Sequence, residues 1–148
     1  MKTDHLTDRD ALALTVWAEA RGESVNGRVA VACVIRNRMR LRKLSAKAVC
    51  LQPMQFSCWQ TIDGQANHDV LKALVDAAAA GRPVTDPIIR ECYWIADGVL
   101  AGDVRDNTKG ADHYLTTRLL SSSRRPSWVA KMDWTTTVDS QAFYRSRP

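Results

Sequence analysis

Apolar residues recur at helical spacing in the first part of the chain. Thr7, followed three positions later by Asp10, forms a capping-box pattern that predicts the start of a first helix. Leu12, Val16 and Glu19 then fall on one face of that helix. Glu19 is therefore predicted to lie on the flank of a buried stripe, near the end of the helix.

A second helix is predicted over residues 27–42, GRVAVACVIRNRMRLR, with Ser24 or Asn26 as its N-cap. Its continuous apolar run indicates a central, largely buried element. The basic stretch RNRMRLRK at 36–43 can contact a polyanion, but its spacing favours the solvated tail of a helix.

The remaining pattern alternates between short helices and segments rich in turn residues, and it ends in a stretch that alternates around a turn. The fold class is therefore mainly α (α+β), with a small C-terminal β-hairpin. The predicted elements are a short helix at 45–50 that Pro53 ends, a loop over 53–67, helices at about 68–80 and 86–101, a polar loop over 102–127 and a hairpin centred on Asp139-Ser140.

Length and charge narrow the function only partly. The 148 residues suffice to bury a core, so we expect a single domain over residues 1–148. A net charge of +5 favours an anionic partner such as nucleic acid, a membrane surface or an acidic cell-wall polymer. No base-reading element is evident, so we expect no nucleic-acid partner, although a basic nucleic-acid-binding protein stays an alternative.

The N-terminus and the apolar runs bear on localisation. Acids follow the N-terminal lysine where a signal peptide needs an apolar core. The longest apolar-rich stretch, residues 29–35, is too short to span a bilayer. We therefore expect synthesis in the cytoplasm without a signal peptide, and no stable membrane insertion.

The cysteines and histidines show no metal-binding spacing, so neither a metal nor a cofactor is expected. Cys33 and Cys92 lie in apolar runs and are predicted to be buried, whereas Cys50 and Cys58 are close enough in sequence to approach one another. In the cytosol we expect free thiols. A Cys–His amidase or endopeptidase using Cys33 or Cys58 with His113 stays an alternative.

Residues 17–24, WAEARGES, raise the question of a proton donor. A glycosidase acid must hold its proton near neutral pH, and apolar surroundings achieve this by disfavouring the carboxylate. Glu19 meets that need if the second helix covers it. The alternative is a helix-end acid paired with Arg21 or Arg28, which spacing alone favours. Glu23, one turn later, is a possible second carboxylate.

The stretch QFSCW at 55–59 offers amide and hydroxyl groups beside flat aromatic rings, which suit the polar rim and C–H faces of a sugar. The alternative is that Phe56 and Trp59 fill the core while Gln55 caps a neighbouring element. The sequence leaves both interpretations open.

Taken in order, several of these stretches resemble the SleB-type cell-wall hydrolase family, which includes spore-cortex lytic enzymes and phage endolysins. The resemblance runs from about residue 11 to residue 145, and EARGE with the helix that follows is its specific part. The stretches are WAEARGES, NGRVAVACVIRNRM, QFSCW, ADHYL, PSWVAKM and AFYR.

The resemblance implies a lysozyme-like helical domain that cleaves the glycan strands of peptidoglycan, with Glu19 as its catalytic acid. Asp112 stands where the family pattern has a neutral residue, so it either contacts sugar or supplies a second carboxylate. The residues expected to line the glycan cleft are Gln55, Phe56, Ser57, Trp59, Asp112, His113 and Tyr114.

The expected reaction follows from the number of acids. Hydrolysis normally needs a second carboxylate, whereas a lytic transglycosylase needs one acid because the substrate's own 6-hydroxyl closes an anhydro ring. No second acid is clearly placed, which favours a lytic transglycosylase, with a hydrolytic muramidase as the alternative. A basic domain of this kind fits a monomeric phage endolysin that acts on the cell wall after a holin-type partner releases it.

Overall fold

The computed structural model describes residues 2–53, 55–60, 66–82 and 84–148. Residues 54 and 61–65 of the predicted 53–67 loop lie outside this part of the chain. The elements are α1 (Asp8–Ala20), α2 (Val25–Arg42), α3 (Ala46–Cys50), a 3-10 helix (Ser57–Trp59), α4 (Ala66–Ala79), α5 (Pro87–Ala101), β1 (His113–Thr116), α6 (Thr117–Leu120), a second 3-10 helix (Ser127–Lys131), β2 (Met132–Val138) and β3 (Gln141–Ser146).

Helix starts agree with the capping patterns in the sequence. Thr7 caps α1 in a complete capping box with Asp10, and the Ser24 hydroxyl accepts the Gly27 N–H at the start of α2. Asp86 caps α5, whose first residue is Pro87, a position where proline loses no helical hydrogen bond. These side-chain caps satisfy N–H groups that the helices leave unpaired.

Helix α1 lies at the centre of the helical part and contacts α2, α3, α4 and α5. Residues 11–17 of α1 are all buried, because these four helices pack against it. The large side chains with almost no exposure in this core include Leu12, Leu14, Val16, Val31, Ile35, Val49, Leu71, Val75 and Ile95. None of the described helices is long and apolar enough to span a bilayer.

The predicted hairpin is confirmed, but it belongs to a three-stranded antiparallel sheet in the order β1-β3-β2. Strand β1 pairs His113 with Tyr144 and Thr116 with Gln141. The prediction of a polar loop over 102–127 is therefore wrong at 113–120, which form β1 and α6. Residues 113–116 become a strand because β3, buried along Gln141–Tyr144, supplies a pairing edge that is distant in sequence.

The interpretation of residues 36–43 as a solvated helix tail is wrong for its first half. Arg36 and Arg38 are buried and donate to the carbonyl oxygens of Val104 (2.8 Å) and Asp112 (2.7 Å). Asn37 between them donates to the Ala111 carbonyl at 2.8 Å. These side chains hold the segment before β1 against α2, since they satisfy backbone carbonyls that the segment cannot pair itself.

Candidate active site

Glu19 lies in the last turn of α1, half-buried, where α1 meets the 3-10 helix at 57–59 and strand β1. The Tyr114 hydroxyl donates a hydrogen bond of 3.1 Å to its Oε2 atom. The thiol and backbone N–H of Cys58 also donate to this carboxylate, and the Arg38 guanidinium is near enough to act on its charge. We call Glu19, Arg38, Cys58 and Tyr114 the Glu19 site.

Burial raises the pKa of Glu19, because loss of solvent disfavours the charged carboxylate more than the surrounding donors favour it. The hydrogen bonds from Tyr114 and Cys58 and the charge of Arg38 act in the opposite direction. The position at the C-terminal end of α1, where the helix carbonyls carry partial negative charge, also disfavours a carboxylate. The site therefore holds a carboxyl group that retains its proton to higher pH than an ordinary glutamate.

Neither Arg21 nor Arg28, the two predicted alternative partners, pairs with Glu19. The Arg21 guanidinium lies 4.6 Å from the centre of the Trp17 ring and donates to the Ala18 carbonyl. Arg28 forms an ion pair with Glu91 on α5 at 2.5 Å. Glu19 takes part in no ion pair with any residue in the described ranges. The interpretation of Glu19 as a charge-paired helix end is therefore not supported.

Strand β1 separates His113 from Tyr114, because successive side chains of a strand point to opposite faces. Tyr114 packs against the helical core with its ring centre 5.8 Å from that of Phe143, and its hydroxyl reaches Glu19. The His113 ring instead contacts Trp128, with ring centres 5.2 Å apart. The structure brings only one member of the predicted His–Tyr pair to Glu19.

Asp112 is 4% exposed, so its carboxylate is not accessible as expected of a residue that lines a cleft. Its carboxylate accepts hydrogen bonds from the backbone N–H and the hydroxyl of Ser146, and His113 Nδ1 lies 3.2 Å from its Oδ1. Burial acts to raise the pKa of Asp112, but His113 and Ser146 outweigh it and lower the pKa to about 2. This acid ties the end of β3 to β1, and its oxygens are engaged.

Glu23 is likewise engaged elsewhere. The Ser140 hydroxyl in the β2–β3 turn donates to a Glu23 carboxylate oxygen, and the neighbouring Asp139 accepts the Ser24 N–H at 2.9 Å. The junction is tight, since a Cβ on Gly27 would stand 2.7 Å from both Glu23 and Asp139. Glu23 thus fastens the hairpin turn to the α1–α2 junction.

The QFSCW stretch divides between core and surface. Phe56, 4% exposed, lies under the Arg38 guanidinium at 5.1 Å, and the Trp59 indole donates to the Thr15 hydroxyl at 2.9 Å. Gln55 is exposed, and its amide oxygen accepts from Arg42 at 3.1 Å; Ser57 is exposed as well. The structure supports the alternative in which both aromatic rings pack inward, and leaves Gln55 and Ser57 accessible.

Sequence reasoning missed Cys58 and Arg38 as members of the Glu19 site. Cys58 lies within the QFSCW stretch at 55–59, whose polar and aromatic neighbours give no sign of a contact with Glu19. Arg38 carried a signal that was available, because an arginine within a buried helix needs specific acceptors. One of its nitrogens, Nη1, is buried without a partner in the described part of the chain.

The four cysteines are free thiols, and Cys33 and Cys92 are buried as predicted. Burial raises the pKa of each thiol, to about 12 for Cys50 and Cys92. Reactive thiols need the reverse shift, toward the thiolate. Within residues 2–53, 55–60, 66–82 and 84–148, no cluster of three or more His, Cys, Asp or Glu side chains is arranged to hold a metal ion.

Comparison with protein families identifies the class of the chain. The model of the Cell Wall Hydrolase family (Hydrolase_2) matches residues 22–144. The chain belongs to this family. The family resemblance predicted from the sequence is confirmed, and so is a role in cell-wall degradation. The matched segment begins after Glu19, so the role of Glu19 rests on the geometry of its site. No curated protein sequence matches the chain.

Two solved structures have a similar fold. The catalytic domain of the germination-specific lytic transglycosylase SleB from Bacillus anthracis superposes with a TM-score of 0.62 at 20% identity, over 96% of this chain and 98% of that one. The catalytic domain of the Bacillus cereus SleB protein gives 0.62 and 20%, over 93% and 89%. The mainly helical fold with a small C-terminal sheet is thereby confirmed.

Proposed function

We propose that this cell-wall hydrolase is a lytic transglycosylase, which cleaves the glycan strand of peptidoglycan with Glu19 as its general acid and base. The observation that carries the proposal is the half-buried Glu19 carboxyl, whose pKa is raised and whose hydrogen-bond donors, Tyr114 and Cys58, are neutral. A raised pKa keeps the acid protonated at the pH where it must donate.

Glu19 acts twice in this reaction. It first protonates the glycosidic oxygen, so the C1–O bond of the muramic residue breaks and the leaving sugar departs with a free hydroxyl. The resulting carboxylate then takes the proton from the 6-hydroxyl of the same muramic residue, whose oxygen bonds to C1 and closes a 1,6-anhydro ring. No water is consumed, and Glu19 ends protonated as it began.

The engagement of the other acids supports a reaction with a single carboxylate. A hydrolase of the usual kind uses a second carboxylate as nucleophile or base. Glu23 is bound by Ser140 in the hairpin turn, and Asp112 by Ser146 and His113. A hydrolytic muramidase is for this reason the weaker alternative.

The remaining alternatives have less support from the geometry. A Cys–His amidase needs a thiolate, and every thiol here is shifted toward its protonated form. A nucleic-acid-binding role would use the basic residues 36–43. Arg36 and Arg38 in this stretch are buried and donate hydrogen bonds to backbone carbonyls, so they do not present their charge to a polyanion.

The proposal includes a substrate-binding surface and a biological role. The accessible Gln55 and Ser57 lie in the segment next to Cys58 and are suited to contact the sugar's polar rim. His113, on the opposite sheet face from Tyr114, is proposed as a more distant contact. We propose that the protein acts as a monomeric endolysin, made in the cytoplasm and released to the wall by a holin-type partner.

Mass spectrometry of digested peptidoglycan tests this proposal. Transglycosylation yields fragments that end in 1,6-anhydromuramic acid, which are 18 mass units lighter than their hydrolysed counterparts because no water is added. Fragments with only reducing ends would show hydrolysis, and new amino groups without new sugar ends would show an amidase. The Glu19→Gln variant, digested in parallel, controls for contaminating activity.

A further inference from the structure

Trp94 on α5 is the most exposed large apolar side chain in the described part of the chain, at 70%. It lines a cleft of about 440 Å³ together with Arg82, Val84 and Arg90. Trp94 and Arg90 also line an adjoining cleft of about 400 Å³, whose other side includes Pro87. The two clefts adjoin at Trp94, and we call them together the Trp94 groove. It shares no residue with the Glu19 site.

The acids around this groove are already engaged. Asp97 pairs with Arg9 at 2.6 Å, and Glu91 pairs with Arg28 at 2.5 Å. Asp10 accepts hydrogen bonds from Tyr93 at 2.9 Å and from Thr7. Their negative charges are therefore balanced or hydrogen-bonded within the fold.

The cations of the groove are not balanced in the same way. Arg82 and Arg90 are exposed, and neither forms an ion pair with any residue of the described ranges. The groove thus presents two exposed guanidinium groups without an ion-pair partner in the described ranges, close to an exposed indole. Its complement is a ligand that carries carboxylates beside a flat apolar face.

We propose that the Trp94 groove is a second binding site for peptidoglycan, which holds a part of the wall polymer away from the scissile bond. The Trp94 ring stacks on the C–H face of an amino sugar, while Arg82 and Arg90 bind carboxylates of the attached peptide stem. The identity of the polymer rests on the proposed function, although the groove itself is defined by its own residues.

A second site changes how the enzyme works on a solid substrate. Once one site has bound the wall, the other meets its ligand at a high effective concentration, so the protein remains on the polymer between cuts. A short soluble glycan cannot occupy both sites at once, so its cleavage gains nothing from the groove. Loss of the groove should consequently slow the clearing of insoluble walls and leave the cleavage of short fragments unchanged.

Binding is measured by cosedimentation with purified peptidoglycan from which attached phosphate polymers have been removed. The chain carries Glu19→Gln so that the substrate stays intact. We expect Trp94→Ala to raise the dissociation constant about tenfold, the loss typical of an aromatic anchor at a binding site. The double variant Arg82→Gln/Arg90→Gln should weaken binding by a similar factor, and less so at high salt.

Matched controls exclude general effects of charge and surface area. Trp134→Ala removes another exposed tryptophan, at 58%, which lies on β2 outside the groove. Arg124→Gln/Arg125→Gln removes the same charge from an exposed turn. Both controls should bind as the parent does. Thermal melts of all variants should be unchanged, because the substituted side chains are exposed.

Three results would overturn the proposal: unchanged binding in the groove variants, equal loss in the controls, or loss seen only with walls that retain phosphate polymers. The proposal for the groove and the proposal for the reaction can be contradicted independently. If wild-type protein yields anhydro ends while Trp94→Ala binds normally, only the groove is wrong. If binding depends on the groove but no new sugar ends form, only the proposed reaction is wrong.

Discussion

The two ends of α1 carry the same kind of contact with opposite outcomes. At the N-terminal end Asp10 accepts a hydrogen bond of 2.9 Å from the Tyr93 hydroxyl, and at the C-terminal end Glu19 accepts one of 3.1 Å from Tyr114. Yet the pKa of Asp10 is lowered, whereas that of Glu19 is raised. A tyrosine–carboxylate pair therefore does not by itself decide which protonation state the fold favours.

The difference comes from the other neighbours of each acid. Burial acts to raise the pKa of Asp10, but the backbone N–H and hydroxyl of Thr7 add to Tyr93 and outweigh it. The partial positive charge at a helix start also favours a carboxylate there. Around Glu19 burial prevails, and the helix end disfavours negative charge. One end of the helix is built to keep its acid ionised, and the other is suited to hold a proton.

Exchange of each acid for its amide gives the largest expected contrast. Glu19→Gln keeps shape and hydrogen bonding but removes the transferable proton, so wall clearance should fall by about 10²–10⁴-fold. Its melting temperature should hold or rise, since a partly desolvated acid is relieved. Asp10→Asn, the matched control, should clear walls at close to the parent rate. Near-normal wall clearance by Glu19→Gln would mean that Glu19 is not the catalytic acid.

The tyrosines sharpen the comparison through the pH profile. Because Tyr114 donates to the Glu19 carboxylate and lowers its pKa, Tyr114→Phe should raise that pKa further. In the proposed reaction the protonated acid is the active form, so activity should be lost as the pH rises through this pKa. The basic limb of kcat/KM should therefore move to higher pH. Loss of a positioning hydrogen bond should also reduce kcat roughly fivefold.

Tyr93→Phe is the counterpart at the other end of α1. It removes the hydroxyl that Asp10 accepts but touches nothing at the Glu19 site, so the limb should stay where it is. A profile that moves equally in both variants would mean that the shift reports general loosening of α1. Profiles are recorded with soluble glycan fragments, because wall suspensions change their own charge with pH.

The smallest effect concerns stability at the start of α1. Thr7→Ala removes half of the capping box and should cost about 1 kcal/mol of unfolding free energy, measured by denaturant titration.

The folded-state pKa of Asp10 lies below its ordinary value of 3.8, so the stabilisation that the Asp10 carboxylate contributes is present above pH 3.8. It is lost as the pH falls through the lower native pKa. Asp10→Asn should therefore approach the parent in stability at acid pH.

Glu19 should show the reverse sign in the same titrations. Its native pKa lies above the unfolded value, so its favourable contribution is complete below the unfolded pKa and is lost as the pH rises through the native pKa. Glu19→Gln should gain relative to the parent across that window. A common sign for both acids would contradict the comparison.

Local signals were enough to predict most of the helical part. The Thr7–Asp10 pattern located α1, and an apolar run after Ser24 or Asn26 located α2, for which the structure has Ser24 as the cap. These signals suffice because caps and helical periodicity depend on neighbours within a turn. The hairpin could be predicted for the same reason. Strand β1 could not, since the four residues of His113–Thr116 become a strand only by pairing with β3.

The site was predictable to a smaller extent. Periodicity placed Glu19 beside the buried stripe, but it could not decide between a proton donor and a partner of Arg21 or Arg28. Which of these two interpretations is right depends on the side chains that other helices and strands place next to Glu19. The sequence shows His113 and Tyr114 only as neighbours, whereas strand β1 places their side chains on opposite faces of the sheet. The contact between Cys58 and Glu19 likewise depends on the folded chain.

The hydrogen bond between Tyr114 and Glu19 joins residues 95 positions apart in the chain. Closing so long a segment costs conformational entropy before the contact returns any energy, so such contacts form late in folding. Until β1 is placed, Glu19 lacks the Tyr114 hydroxyl and the part of its water-excluding surroundings that β1 supplies. The proton donor that we propose is therefore complete only with the final strand arrangement, and a partly folded chain carries Glu19 without its full set of neighbours.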